Sequence, residues 1–134
     1  LHNDFKLDNT MLDDRGEVVA VFDWDMSTLG DPLVDLCTTL SYWGGTGGVM
    51  DLVAADSVAL GDAMDVRSVA ERYATRTGLD LEGVEWYRAL GMFRIAVIVQ
   101  QIYIRFVRGQ TTDERFAGLG AAVAPLAVAG LELV

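Results

Sequence analysis

The spacing of apolar positions changes along the chain, and each change predicts an element. Residues 10–12 and 18–22 are short apolar segments on either side of Asp13, Asp14, Arg15 and Gly16, where acids and a glycine supply turn chemistry, so the pattern predicts a β-hairpin. With the turn centred near Arg15, antiparallel pairing sets Asn9 opposite about Val21, roughly one residue pair from Asp23. The ribbon then delivers both side chains to one end. Residues 18–22 do not alternate, which predicts cover on both faces.

Helical spacing follows. Asp31 and Pro32 open a helix, because Asp31 can accept from unpaired N–H groups and Pro32 lacks a donor only where none is needed. Leu33, Leu36, Cys37, Leu40 and Trp43 form its buried stripe, and the glycines of 44–48 stop it. Residues 50–64 are irregular, read as a loop with one short helix. Asp65 caps a helix over 66–77 with Gly78 at its end, and a longer helix over 81–108 would span about 40 Å. Acids at its start and Arg105 and Arg108 at its end match the helix dipole. Its apolar middle predicts the central core helix. Thr111 and Glu114 have capping-box spacing, and Phe116, Leu119, Val123 and Leu126 mark the inner face of a last helix that Pro125 should kink or divide. The fold class expected is α+β, mainly α, in one unit without repeats or linkers.

Composition narrows the function. The chain has 134 residues, half of them apolar, and a formal net charge of −10, which disfavours nucleic acid and anionic membrane surfaces as partners. The apolar run over 89–107 has the length of a membrane span, but Arg94, Gln100, Gln101 and Arg105 within it favour a buried helix of a soluble protein. A single cysteine and the lack of a signal-peptide pattern point to a reducing, cytoplasmic setting.

The candidate chemistry sits at the start of the chain. Asp4 precedes Asn9 by five residues, and Asp23 and Asp25 flank Trp24 at the end of the second hairpin segment. A carboxylate is ionised at neutral pH, so Asp4 can accept the hydrogen bond of an attacking hydroxyl and aim it, which is what phosphoryl transfer asks of a base. Asn9 and Asp23 offer hard oxygen donors suited to Mg²⁺. Lys6, the only lysine, stands two residues after Asp4, either to steady charge on the transferring group or as a solvated surface residue. Asp25 reads as a further metal contact or an ordinary loop acid. The glycines of 44–48 lack the preceding strand and following Gly-Lys-Ser/Thr of a phosphate-binding loop. The aromatics Trp86, Tyr87, Phe93, Tyr103 and Phe106 read as core rather than a substrate cage. Arg94, a cation in an apolar helix, requires a partner: a structural carboxylate or an anionic substrate.

The series His2-x-Asp4-x-x-x-x-Asn9, a hairpin, Asp23-Trp24-Asp25 and Gly30-Asp31-Pro32-x-x-Asp35 resembles the aminoglycoside phosphotransferase and choline kinase group of kinase-like enzymes. Residues 23–36, 86–94 and 100–103 are similar to one branch, the bacterial phosphotransferases akin to the kinase-like domain fused to some acyl-CoA dehydrogenases. Protein kinases often carry a lysine at the offset of Lys6. Asn3 departs from the glycine common in the family, though choline kinases also carry asparagine.

The resemblance implies the C-terminal lobe of a protein-kinase-like fold, with catalytic loop, hairpin and about four to five helices. It implies ATP as co-substrate with Mg²⁺, Asp4 as base, Asn9 and Asp23 as metal ligands, and His2 and Asp35 as structural supports of the catalytic loop. The expected reaction is phosphorylation of a small-molecule hydroxyl, on a hydroxyacyl-CoA in that branch, with association or fusion to an acyl-CoA dehydrogenase. Aminoglycosides, choline and amino sugars are the alternative acceptors, and a non-catalytic pseudokinase module is the alternative class. Because the motif stands at the very start without an initiator Met, the chain reads as a fragment lacking the N-terminal lobe, and inactive by itself.

Overall fold

The computed structural model describes residues 1–43 and 65–134. The hairpin forms as the turn chemistry predicts: one carboxylate oxygen of Asp13 accepts from the amides of Arg15 and Glu17, each at 2.9 Å, and Gly16 takes the left-handed φ of 79° that closes the turn. Strands β1 (Thr10–Leu12) and β2 (Val18–Val21) pair antiparallel, Thr10 with Val21, Met11 with Ala20 and Leu12 with Val18. The irregularity between Met11 and Leu12 leaves Val19 extra on β2, a bulge that shifts the register by one residue. Asn9 therefore meets Phe22 rather than Val21: the Phe22 amide donates to the Asn9 carbonyl at 2.8 Å.

Cover on both faces of β2 is not found. Val18 and Val19 are 52% and 58% exposed, and Met11, Leu12 and Phe22 are exposed beside them. No described helix packs broadly over the hairpin, so its lack of alternation makes an apolar surface instead of a buried strand.

Helix α1 (Pro32–Trp43) starts where expected, with the Asp31 carboxylate accepting from the Leu33 amide at 3.0 Å. The other oxygen of Asp31 accepts from the Tyr87 hydroxyl at 2.7 Å, tying the start of α1 to a later helix. Helix α2 (Val66–Thr77) is capped by Asp65, which accepts from the Arg67 and Ser68 amides, and ends at Gly78 with φ 76°. Leu33, Leu36 and Leu40 of α1 pack with Ala70 of α2. The predicted features at 44–48 and 50–64 lie outside the described residues.

Helix α3 (Val84–Val107) begins three residues later than the apolar pattern predicts. A turn takes up the difference: Asp80 accepts from the Glu82 amide, the Val84 amide donates to Leu81, and Gly83 adopts φ 73°. Its 24 residues span about 36 Å and are long and apolar enough to cross a membrane by length and composition alone. In this fold α3 lies between α1 and a last helix α4 (Gly120–Leu131), burying Gly91, Ile95, Ala96 and Val99. At Gly91 a Cβ would stand 2.6 Å from the Ser41 hydroxyl and 2.9 Å from the Cys37 carbonyl, so glycine is what lets α1 and α3 approach.

Ile95, Ala96 and Val99 meet Leu119, Ala122 and Leu126 in the second apolar cluster, with Tyr103, Phe116 and Val123 at its margin. The aromatics divide. Tyr103 packs on this core, whereas Trp86 and Phe93 are 57% and 60% exposed, because α1 and α4 occupy two faces of α3 and a third faces outward. The capping box is also replaced. Asp113, not Thr111, accepts from the Arg115 amide and starts a 3-10 turn, Glu114–Phe116, ahead of α4. Pro125 does not divide α4, which runs unbroken as one helix. Its missing N–H deprives only one carbonyl of a partner, and the burial of Ala122 and Leu126 holds the helix together.

Candidate active site

The 1–9 segment has little regular structure, so its shape depends on side chains that bond its backbone. Asp35, in the first turn of α1, accepts from the His2 amide at 2.6 Å and the Asn3 amide at 2.8 Å. Four residues on, the Thr39 hydroxyl donates to the Phe5 carbonyl at 3.1 Å. Asn3 sits at φ 66°, a left-handed conformation that glycine or asparagine accepts most readily, and its side-chain Nδ2 donates to the Met26 carbonyl at 3.0 Å.

His2 is buried and uses both ring nitrogens. Nδ1 accepts from the Asp4 amide at 3.2 Å, which leaves Nε2–H to donate to the Phe22 carbonyl at 2.8 Å. The neutral ring thereby joins the Asp4 backbone to the hairpin end next to Asp23. Trp24 covers it with ring centroids 4.7 Å apart and is itself fixed by donating to the Val21 carbonyl at 2.9 Å.

Two other sequence-predicted residues, Lys6 and Asn9, meet at Asp4. The Lys6 ammonium lies 3.0 and 3.2 Å from its two carboxylate oxygens. Asn9 donates through Nδ2 to the Asp4 carbonyl at 2.8 Å and to its carboxylate at 3.0 Å. Burial works against the charge on Lys6, but the hydrogen bond from Lys6 to Asp4 and the charge of Asp4 outweigh it and raise the Lys6 pKa. Lys6 is thus a charged partner of Asp4 and not a free surface lysine.

With its N–H₂ group committed to Asp4, Asn9 keeps its amide oxygen without a donor among the described residues. Asp23 follows the Asn9–Phe22 pair at φ 58°, exposed, and its carboxylate has no hydrogen bond or ion pair among the described residues. Asp25 is likewise exposed two residues on. No group of three or more His, Cys, Asp or Glu side chains able to hold a metal occurs among the described residues. The donor set on offer is one amide oxygen with one or two carboxylates. That suits Mg²⁺, which takes few protein ligands and completes its shell with water and phosphate oxygens.

Arg94 reaches the loop from α3. Its Nη1 donates to the Thr38 hydroxyl at 3.1 Å and lies 3.5 Å from the Asn3 side-chain oxygen, and no carboxylate pairs with it among the described residues. Tyr42 stands within the field of the same charges: burial and then Asp4 raise its pKa, while Lys6 and Arg94 oppose the shift.

Residues 1–90 match the model of the phosphotransferase enzyme family. The chain belongs to that family. As a family member it is 33% identical to mouse acyl-CoA dehydrogenase family member 11 and 30% identical to its human counterpart, in each case over 99% of this chain. It is 33% identical to mouse acyl-CoA dehydrogenase family member 10 over 84% of the chain. These alignments span only 18%, 17% and 11% of the relatives' own lengths. A crystal structure of a candidate aminoglycoside phosphotransferase from Ralstonia eutropha JMP134 superposes with a TM-score of 0.81 at 34% identity, covering 99% of this chain and 41% of that one. The fold is thus kinase-like, mainly helical with a small two-stranded sheet, as the resemblance implies.

Sequence reasoning missed three contributors to this candidate site. Thr38 and Thr39 lie three and four residues after Asp35, one helical turn, and a buried polar pair opposite an apolar stripe is the signal that could have found them. Trp24 lies between two acids with no periodicity to mark it as the cover of His2.

Proposed function

We propose that the chain forms the C-terminal lobe of a Mg²⁺- and ATP-dependent small-molecule kinase acting on a hydroxyl group. The observation that carries this reading is the single hydrogen-bonded set of Asp4, Lys6 and Asn9 at the hairpin end, with the Asn9 oxygen and the Asp23 carboxylate left open beside it. In this reading Asp4 accepts the hydrogen bond of the acceptor hydroxyl and takes its proton as transfer completes. Lys6 offsets charge next to it. Asn9 and Asp23, with Asp25 near, would hold Mg²⁺, whose chemistry is to neutralise phosphate oxygens and align the transferring group. His2 and Asp35 keep the loop in register with the hairpin.

In this reading the exposed apolar residues of the hairpin, Met11, Leu12, Val18 and Val19, are a surface on which an N-terminal lobe of such a kinase would pack. The acceptor we favour is a hydroxyacyl-CoA, supported by similarity to acyl-CoA dehydrogenase family members, in a cytoplasmic enzyme that works with or is joined to such a dehydrogenase. The test is Mg²⁺-dependent ATP consumption by the full-length protein against hydroxyacyl-CoAs, aminoglycosides, choline and amino sugars. Turnover with a hydroxyacyl-CoA is expected, and Asp23→Asn should raise the Mg²⁺ concentration for half-maximal rate about tenfold or more. Turnover that ignores Mg²⁺, or a preference for another acceptor class, would overturn the corresponding part.

A further inference from the structure

Arg94 is a half-buried guanidinium that, among the described residues, uses one of its three nitrogens. Nη1 donates to two neutral oxygens, the Thr38 hydroxyl and the Asn3 side-chain carbonyl, and neither supplies a counter-charge. Nε and Nη2 have no partner among the described residues. Arginine donors form a planar fork matched to carboxylate or phosphate, and a guanidinium taken partly out of water is costly to leave without a counter-charge. Its place adds a second indication: Nη1 lies 3.5 Å from the side-chain oxygen of Asn3, the residue next to Asp4 in sequence, so the fork borders the loop that carries Asp4. Arg94 also lies beyond residues 1–90, which match the family as a whole.

We infer that Arg94 is a specificity-determining residue, whose Nε and Nη2, without a partner among the described residues, anchor an anionic group, carboxylate or phosphate, on the acceptor. This rests on the reading of Asp4 as the base. An exposed face of the same helix, with Phe93 and Val97, flanks the fork and leaves room for the remainder of such a molecule.

The experiment is titration of the full-length protein with three probes that share hydroxyls and differ in charge: glycerol, glycerate and glycerol phosphate. The nucleotide site is saturated with Mg²⁺ and a non-hydrolysable ATP analogue. The wild type should bind at least one anionic probe about tenfold or more tightly than glycerol. The stronger of the two identifies carboxylate or phosphate as the natural group. Arg94→Gln should remove that preference, leaving glycerol binding and nucleotide affinity unchanged. Arg94→Lys, which keeps the charge but loses the fork, should weaken the anion by about three- to tenfold, and carries the test if Arg94→Gln does not fold. Equal binding of glycerol and both anions by the wild type overturns the inference. So does an anion preference that survives Arg94→Gln, an undiminished one in Arg94→Lys, or an equal loss for neutral and anionic probes. Asp4→Asn separates the two readings: it should keep the anion preference, and if it also keeps ATP turnover, the base assignment fails while the anchor stands.

Discussion

The two halves of the molecule are held by different forces. The 1–9 segment and its link to α1 rest on buried polar groups, with His2, Asn3, Asn9, Thr38 and Thr39 all enclosed and hydrogen-bonded, and Asp35 carrying two loop amides. The α3–α4 pair rests on apolar contact between Ile95, Ala96, Val99, Ala122 and Leu126. Apolar packing is non-directional and supplies stability, whereas hydrogen bonds fix atoms within a few tenths of an ångström and net little stability each. The difference teaches where each kind of mutation should register. Damage to α3–α4 should unfold the protein, and damage to the loop should misplace Asp4 in a protein that stays folded.

The largest stability effect is therefore expected at Leu126, almost wholly enclosed by α3. Leu126→Ala should lower stability by about 2–5 kcal/mol in denaturant unfolding, with unchanged turnover per folded molecule. A smaller loss, about 1–3 kcal/mol, is expected for Gly91→Ala, because the new methyl meets the Cys37 carbonyl and helices must separate. Asp35→Ala inverts the pattern. It leaves the His2 and Asn3 amides without partners, and turnover should fall by at least about tenfold for a stability loss of about 1–3 kcal/mol. If the rate fell no further than the folded fraction, the loop would not depend on Asp35.

Two pH effects are finer probes. Burial pushes the Cys37 thiol up to about 11, so native protein at pH 8 should react with a thiol reagent far more slowly than unfolded protein. Since the folded pKa is raised, the neutral thiol's contribution is complete below 9.0 and is lost as pH rises toward 11. At the junction of the halves, the Tyr87 hydroxyl, then the Leu33 amide, lower the pKa of Asp31 below 3.8. That contribution is present above 3.8 and lost as pH falls through the lower folded value. Tyr87→Phe should bring the Asp31 carboxyl back toward its ordinary value in an NMR titration. An unmoved value would sever that link between α1 and α3.

The halves also differ in how much the sequence disclosed. Side-chain chemistry close in sequence was legible: the hairpin turn at Asp13 and Gly16, the caps at Asp31 and Asp65, and the proximity of Lys6 and Asn9 to Asp4 all follow from local spacing. The bulge at Val19 was not, since a ladder irregularity depends on both strands at once. Burial was legible only in part. Periodicity says which positions are apolar but not whether a neighbour arrives to cover them, and so β2, Trp86 and Phe93 turned out exposed while Ile95 and Val99 did not. Arg94 announced a need for a partner without naming one. Its contacts with Thr38 and Asn3 join residues more than fifty positions apart, beyond the reach of any local pattern.

The central claim is that the loop half carries chemistry and the helical half carries stability. Asp4→Asn in the full-length protein tests it most directly, with Mg²⁺–ATP turnover and thermal midpoint measured on the same preparation. The account predicts a rate lower by about 10²–10⁴-fold with a midpoint within about two degrees of wild type. Retained turnover, or a loss of rate fully explained by unfolding, would contradict it.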